Sequence, residues 1–469
     1  MSQYAHEERD PIRCLVRDYE KKLRAGNVGF LDANYFGEII DYYQEKNLLE
    51  DALQAVDCAL EQYAYTADFY IRKAELLMST NMEDEAIQCL EKAESLDASV
   101  TKIFILKAEL FAVLGDKGQA FAALERAEMV ASEDEYVNIY LTQAMIHEES
   151  YDYERTFQAL KSALAVEPNN EEALSRIWFA VELTGFYKES VAFHTKLIDE
   201  APYAPMVWYN LGHALYHLGD YGKAAESYEY AYVIDEKFRE AYYERAEALV
   251  QLELYEKALE CLEEAHQCLE PDAPLYTKMG FCFEKLDNIA DAEAYYSDAI
   301  RLSPDFGEGY YRVGECLFKQ KNWASAKTAY EAAFRLDNKN ALYLIALAET
   351  HYQIENYDTA FSFFQDACDM APDECQHWIR LATFHMAMKD YTAAIEALDE
   401  AEMYNSCPAV LRYCKVACLY QNGQAQAALL LLQQTLAEDE ACHYKALFDF
   451  APELLLVDAV LDTINLSRE

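Results

Sequence analysis

Glycine and proline are both scarce in this 469-residue chain, at 14 and 10 residues. That excludes an all-β protein built on many tight turns, and equally a Pro/Gly-rich disordered chain. Basic residues are also short: 39 Lys and Arg stand against 84 Asp and Glu, a formal net charge of -45. Phosphate neutralisation by Lys and Arg supplies most non-specific affinity for nucleic acid, so this field repels a duplex, a single strand and an anionic membrane surface alike. Basic peptides or basic protein patches are attracted instead, and the plainer effect of the acidity is to keep a large surface soluble. No run of 18 apolar residues occurs, and the opening MSQYAHEERDPIRC lacks an apolar signal core. Thirteen cysteines are scattered without a C-x-x-C pair or zinc-ribbon spacing. Free cysteines without a secretion signal fit a reducing cytoplasm. No P-loop, G-x-S-x-G or H-E-x-x-H is present, and HEES at His147 lacks a second histidine. No catalytic centre and no cofactor are expected.

What is abundant points to helices. Hydrophobic residues make up 52% of the chain, and alanine, leucine, glutamate and tyrosine dominate, so the class reads as all-α. A fixed interval organises them. The stretches MVWYNLGHALYHLGDYGKAAESYEYAYVIDE, PLYTKMGFCFEKLDNIADAEAYYSDAIRLSPD and EGYYRVGECLFKQKNWASAKTAYEAAFRLDN align with a period of 34, which places Gly212, Gly280 and Gly314 in register. Extending the register gives unit starts at 33, 67, 101, 137, 171, 205, 239, 273, 307, 341, 375 and 409. One step departs from 34, by two extra residues around Glu133–Glu135. Alanine fills ten of twelve units at position twenty and again at position twenty-seven. Each unit divides into two amphipathic helices with a break near position fifteen, where Gly115, Gly185, Gly219 and Gly423 fall. Small residues at position eight and alanine at position twenty let the paired helices approach. Larger ones at position twenty-four, such as Tyr228, Tyr296, Tyr330 and Phe364, fill the remaining space. All ten prolines fall at predicted helix boundaries.

Units such as WYNLGHALYHLGDYGKAAESYEYA resemble the tetratricopeptide repeat, and the resemblance covers residues 33–438. It implies an α-solenoid: a right-handed superhelix of antiparallel helix pairs, with the first helix of each unit lining a concave groove. One 34-residue hairpin cannot bury its own apolar face, so neighbour stacking and terminal caps are required. Residues 1–32 are expected to supply an N-terminal capping helix, read over 11–25. Residues 439–469 are expected to supply C-terminal capping helices, one of them PELLLVDAVLDTIN from its proline. The fifth unit departs from the pattern with Trp178, Ser190 and Leu197 where small residues or alanine stand elsewhere. A compensated packing variant is the plainer reading; a bend or partner site over 171–204 is the sharper one, with any hinge between the third and sixth units.

In the family, ligands lie against positions two, five, nine, twelve and thirteen. Position nine is acidic in six of twelve units, and position five is aromatic or aliphatic in nine. The resemblance therefore implies groove residues Tyr209, His213, His217, Tyr243, Glu247, Phe281, Tyr311, Glu315, Ile345, Glu349, Ile379 and Tyr413, a surface suited to a peptide or protein segment carrying Lys or Arg. The clamp by which some members grip a C-terminal carboxylate is absent: Asn210 stands alone, and Arg312 and Arg380 have no matching lysine. The implied function is a non-catalytic interaction scaffold or adaptor; the alternatives are a client-holding chaperone and an accessory subunit that positions an enzyme's substrate. His213 and His217 sit four apart on one helical face, a spacing that zinc can use. With no third ligand evident and no other unit repeating the pair, they read as groove residues and no metal is expected. Cys282, Cys316 and Cys418, all at position ten, read as core residues.

Overall fold

The structure, a computed structural model, describes residues 11–26, 28–404, 408–439 and 443–466. Those residues are helical, and no strand occurs among them. From Ala33 to Glu438 the helices alternate as twelve consecutive pairs. First helices start at Ala33, Ala67, Thr101, Tyr136, Glu171, Pro205, Arg239, Ala273, Gly307, Ala341, Cys375 and Pro408. The chain divides into two compact units, Met1–Ala248 and Leu249–Glu469. The division falls inside the first helix of the seventh repeat, Arg239–Gln251.

Size complementarity closes each pair. At Gly212, Gly280 and Gly314 an added Cβ would lie 2.8, 2.8 and 2.5 Å from the ring of Tyr228, Tyr296 and Tyr330 respectively. These tyrosines are fully buried, so the rings lie flat against a backbone that only glycine leaves bare. Where position eight is alanine, position twenty-four is smaller in most repeats, the tenth keeping Phe364 beside Ala348. Ala74 shares a core with Leu90, Ala108 with Leu124, Ala144 with Leu160 and Ala382 with Leu398.

The break at position fifteen is a left-handed residue in every repeat. Four are glycines, Gly115, Gly185, Gly219 and Gly423. The other eight are Asn47, Asn81, Tyr151, Glu253, Asp287, Lys321, Glu355 and Lys389, with φ between 55° and 62°. A side chain is strained in that region. The exposed Glu355 has φ 61°, so Glu355→Gly is expected to stabilise the chain by about 1 kcal/mol, the left-handed cost less the extra freedom glycine gives the unfolded state. The unfolding midpoint in urea measures it; an unchanged or lower midpoint contradicts the assigned strain.

The two-residue insertion forms a 3-10 turn, Glu133–Glu135, closed by a capping box on Ser132. The Glu135 carboxylate also accepts from the Thr101 hydroxyl at 3.0 Å, one repeat earlier.

Both ends are covered within the described residues. Helix Pro11–Arg24 buries Val16 and Tyr19, and the Tyr19 ring meets Phe36 edge-on at 6.2 Å. At the other end PELLLVDAVLDTIN is not one helix. Pro452–Leu456 is a 3-10 turn, Val457 is extended (φ -103°, ψ 103°), and the helix runs Asp458–Leu466. The extended residue turns Leu454, Val460 and Ile464 onto one core with Tyr413 and Leu432, an arrangement a straight helix would not reach. Residues 1–10 and 467–469 of the expected caps lie outside the described residues.

In the fifth repeat Trp178 is half-buried, its indole meeting Phe179 at 6.0 Å and His213 at 5.5 Å. Position twenty-four there is His194, fully buried, with Nδ1 2.9 Å from the Ser190 carbonyl oxygen. Ser190 and Leu197 are buried as well, so the variant positions still build core. Cys282, Cys316 and Cys418 are buried, and burial pushes the Cys316 and Cys418 thiols up to about 12, keeping them protonated at neutral pH.

Candidate functional site

Within Met1–Ala248, first helices of neighbouring repeats bring positions two, five, six and nine to one cavity of about 530 Å³. Its floor is apolar: Ile105 and Leu106 from Thr101–Val113, Leu141 and Met145 from Tyr136–Glu148. Its rim carries four carboxylates, Glu75, Glu109, Glu135 and Glu172, against two cations, Lys102 and Arg176. Lys102 lies 2.6 Å from Glu75, and Arg176 contacts Glu172 at 2.6 Å and Glu148 at 2.9 Å. Glu109 has no ion pair among the described residues. Burial, with Glu75 and Glu172 adding repulsion, holds its carboxyl above the usual range against the Thr142 hydroxyl and Lys102. This is the carboxylate for which an incoming cation would do most. A larger cavity of about 780 Å³ lies where inter-repeat turns meet, lined by Pro168, Pro202, Tyr203, Pro205 and Phe238 among others. It lacks a cationic or imidazole side chain.

The residues expected from sequence lie elsewhere along the same helical positions. Tyr209 is half-buried against Phe238 (5.0 Å) and Tyr228 (5.6 Å). Tyr243 and Glu247 are half-buried, and the Tyr243 hydroxyl accepts from Arg239 at 3.2 Å. His213 is half-buried and His217 exposed, with ring centroids 4.6 Å apart. The His217 ring stacks on Tyr187 at 4.7 Å and 7°. Glu182, at position twelve of the fifth repeat, lies beside the two histidines, and the nearest ligand atoms of all three fall within 4.8 Å of one another. The third potential ligand not evident in the sequence is therefore present.

In the second unit, Phe281 is half-buried under the Lys285 ammonium at 5.1 Å. Tyr311 is half-buried between Tyr330 (5.7 Å) and Tyr343 (5.3 Å). Burial, then the charge of Glu315, pushes its hydroxyl up to about 12. Glu315 accepts a 2.5 Å hydrogen bond from the Tyr330 hydroxyl, and Glu349 pairs with Arg380 at 2.8 Å. Ile379 is half-buried and Ile345 is buried in the same core. Tyr413 is fully buried, its hydroxyl donating to Asp439 at 3.0 Å. It is a core residue, because the segment after residue 443 packs over it.

At least three of the six carboxylates of the ladder are thus ion-paired to the next repeat, Glu75 through Lys102 among them. Asp41–Arg72 (2.5 Å) and Glu349–Arg380 (2.8 Å) join position nine to position six of the next unit. Glu75, Glu109 and Met145 at position nine and Ile105 and Leu141 at position five are groove positions by register, and the two-residue insertion lies at the edge of the cavity they line.

Sequence models of the tetratricopeptide repeat match residues 67–100, 205–238, 240–265, 283–326 and 317–374. No curated protein matches the chain. Solved structures with a likeness include YrrB, described as a TPR protein with an unusual peptide-binding site: 23% identity, 39% of this chain and 95% of that one, TM-score 0.33. Yeast Tom70 aligns at 17% identity over 87% of this chain and 98% of its own, TM-score 0.40. A Parabacteroides merdae tetratricopeptide repeat protein aligns at 17% over 54% and 99%, TM-score 0.41. Among the described residues no helix is long and apolar enough to cross a membrane. The repeat matches, the 34-residue register and the consecutive helix pairs place the chain in the tetratricopeptide-repeat family.

Proposed function

We propose that this protein is a non-catalytic interaction scaffold whose first-helix face in repeats two to five takes an extended peptide segment carrying Lys or Arg. The observation that carries this reading is the cavity with an apolar floor and four carboxylates to two cations. An apolar side chain of the segment would rest on Ile105, Leu141 and Met145 while a neighbouring Lys or Arg meets Glu109. The ion pair would relieve the cost that burial puts on this carboxylate. The half-buried Phe281, Glu315, Glu349 and Ile379 offer the same chemistry in the second unit. Proteins of this fold serve generally as protein-binding scaffolds, and the free buried thiols suit the cytoplasm.

The test is fluorescence anisotropy with labelled extended peptides alternating Leu with Lys or Arg. Glu109→Gln is expected to weaken binding about tenfold or more, the loss of one hydrogen bond to a charged group. Raising salt should weaken the wild type further than the variant. Equal affinity in both proteins, unmoved by salt, would sink the assignment.

A further inference from the structure

The histidine pair, its neighbouring glutamate and the surrounding rings make a second, separate site. We propose that Glu182, His213 and His217 bind one divalent transition-metal ion, with zinc the preferred biological occupant. The ion would clasp the first helices of the fifth and sixth repeats.

Helix Pro205–His217 carries both histidines, and the four-residue spacing puts their imidazoles on one face. Helix Glu171–Thr184 of the preceding repeat brings Glu182 to the same place, with the ligand atoms within 4.8 Å of one another. Zinc bonds of about 2.0–2.2 Å in tetrahedral geometry ask for ligand atoms roughly 3.3–3.5 Å apart. Glu182 and His217 are exposed, so their side chains can rotate to close a remaining distance of at most about 1.5 Å.

The donor set decides the class of ion. Two imidazoles and one carboxylate suit zinc, cobalt, nickel or copper, whereas magnesium and calcium call for oxygen ligands. Aromatic side chains flank both rings. Trp178 meets His213 edge-on at 5.5 Å, and Tyr187 stacks on His217 at 7°. Both aromatics come from the fifth repeat, and Trp178 occupies a position that holds glycine or alanine in nine of the other eleven units. The irregular repeat therefore builds two walls of the site. Three protein ligands leave coordination open to water.

The experiment is a Co²⁺ titration of the untagged, reduced full chain, followed by visible absorption and then by displacement with Zn²⁺. One saturable equivalent with nitrogen/oxygen-type bands is expected, displaced by equimolar Zn²⁺ but not by excess Mg²⁺. His217→Ala, at an exposed position that leaves the fold intact, should abolish that equivalent, as should His213→Ala. Glu182→Gln should weaken it by at least the about 10–100-fold that loss of even an outer-shell partner costs. Zn²⁺ should raise the melting temperature of the wild type and not of His217→Ala. Binding by His217→Ala equal to that of wild type, displacement by Mg²⁺, or sulfur-to-cobalt charge-transfer bands would each overturn the proposal. The last would assign the metal to cysteine.

Discussion

Tyr330→Ala is expected to destabilise the protein by about 3–5 kcal/mol, the range for removing a large buried ring. The ring is fully buried and lies flat on the second unit's helix Gly307–Lys319, where a Cβ at Gly314 would sit 2.5 Å from it. Its hydroxyl donates to Glu315 at 2.5 Å, so truncation also leaves that carboxylate without its donor. Gly314→Ala alone should cost about 1–3 kcal/mol, since the added methyl overlaps the ring and the core has no room to yield. Together the two changes should cost less than their sum, because the methyl enters space the ring has left. The double-mutant cycle reads this as a coupling of about 1–2 kcal/mol. Strict additivity would mean that Gly314 is there for some reason other than the approach of Tyr330.

The second large effect is acid destabilisation centred on His194. The native chain holds this imidazole neutral down to about pH 4, first through burial, with the Ser190 carbonyl partly opposing. In the unfolded chain it takes up its proton near the ordinary 6.5. Between those values the unfolded state binds more protons, so the contribution to stability is full above pH 6.5 and is lost as pH falls toward 4. The slope from this one group is about 1.4 kcal/mol per pH unit, or roughly 2 kcal/mol between pH 6.5 and 5. His213 acts in the same direction, lowered by burial and by His217 to about 4. Glu109 and Glu349 act oppositely. Burial raises both, so their contribution improves as pH falls through the raised carboxylate range. Amide hydrogen exchange in helix Tyr187–Glu200 follows the local opening free energy. His194→Gln, neutral at every pH, should flatten its pH dependence between 6.5 and 5. A slope unchanged from wild type would show that His194 is not the group responsible.

The repeat register was legible because one unit is stacked many times, so small residues recur at positions eight, twenty and twenty-seven whatever the surface does. The partnership of Gly314 with Tyr330, sixteen residues on, follows from size alone. Less legible were features set by contacts outside one repeat. Val457 breaks the last segment because Leu454 and Val460 must both reach the core around Tyr413, a demand with no periodic signature. Tyr413 looked like a groove residue by position, yet the segment from Lys445 onward buries it. Left-handed residues such as Lys321 and Tyr151 carried no glycine to mark them. The pairing of Asp41 with Arg72 and the approach of Glu182 to His213 both join residues 31 apart. A search for complementary groups at that interval, one turn of helix short of the repeat, would have found both.

The central claim is that the first-helix face of repeats two to five binds a basic, partly apolar peptide. A Leu/Arg peptide carrying a photoreactive benzophenone, crosslinked to the full chain and mapped by mass spectrometry, tests it most directly. Adducts concentrated on Thr101–Val113 and Tyr136–Glu148, around Ile105, Leu141 and Met145, and diminished by Glu109→Gln, are the predicted result. Adducts concentrated on second helices, or in the cavity around Pro202 and Phe238, and indifferent to Glu109→Gln, would contradict it.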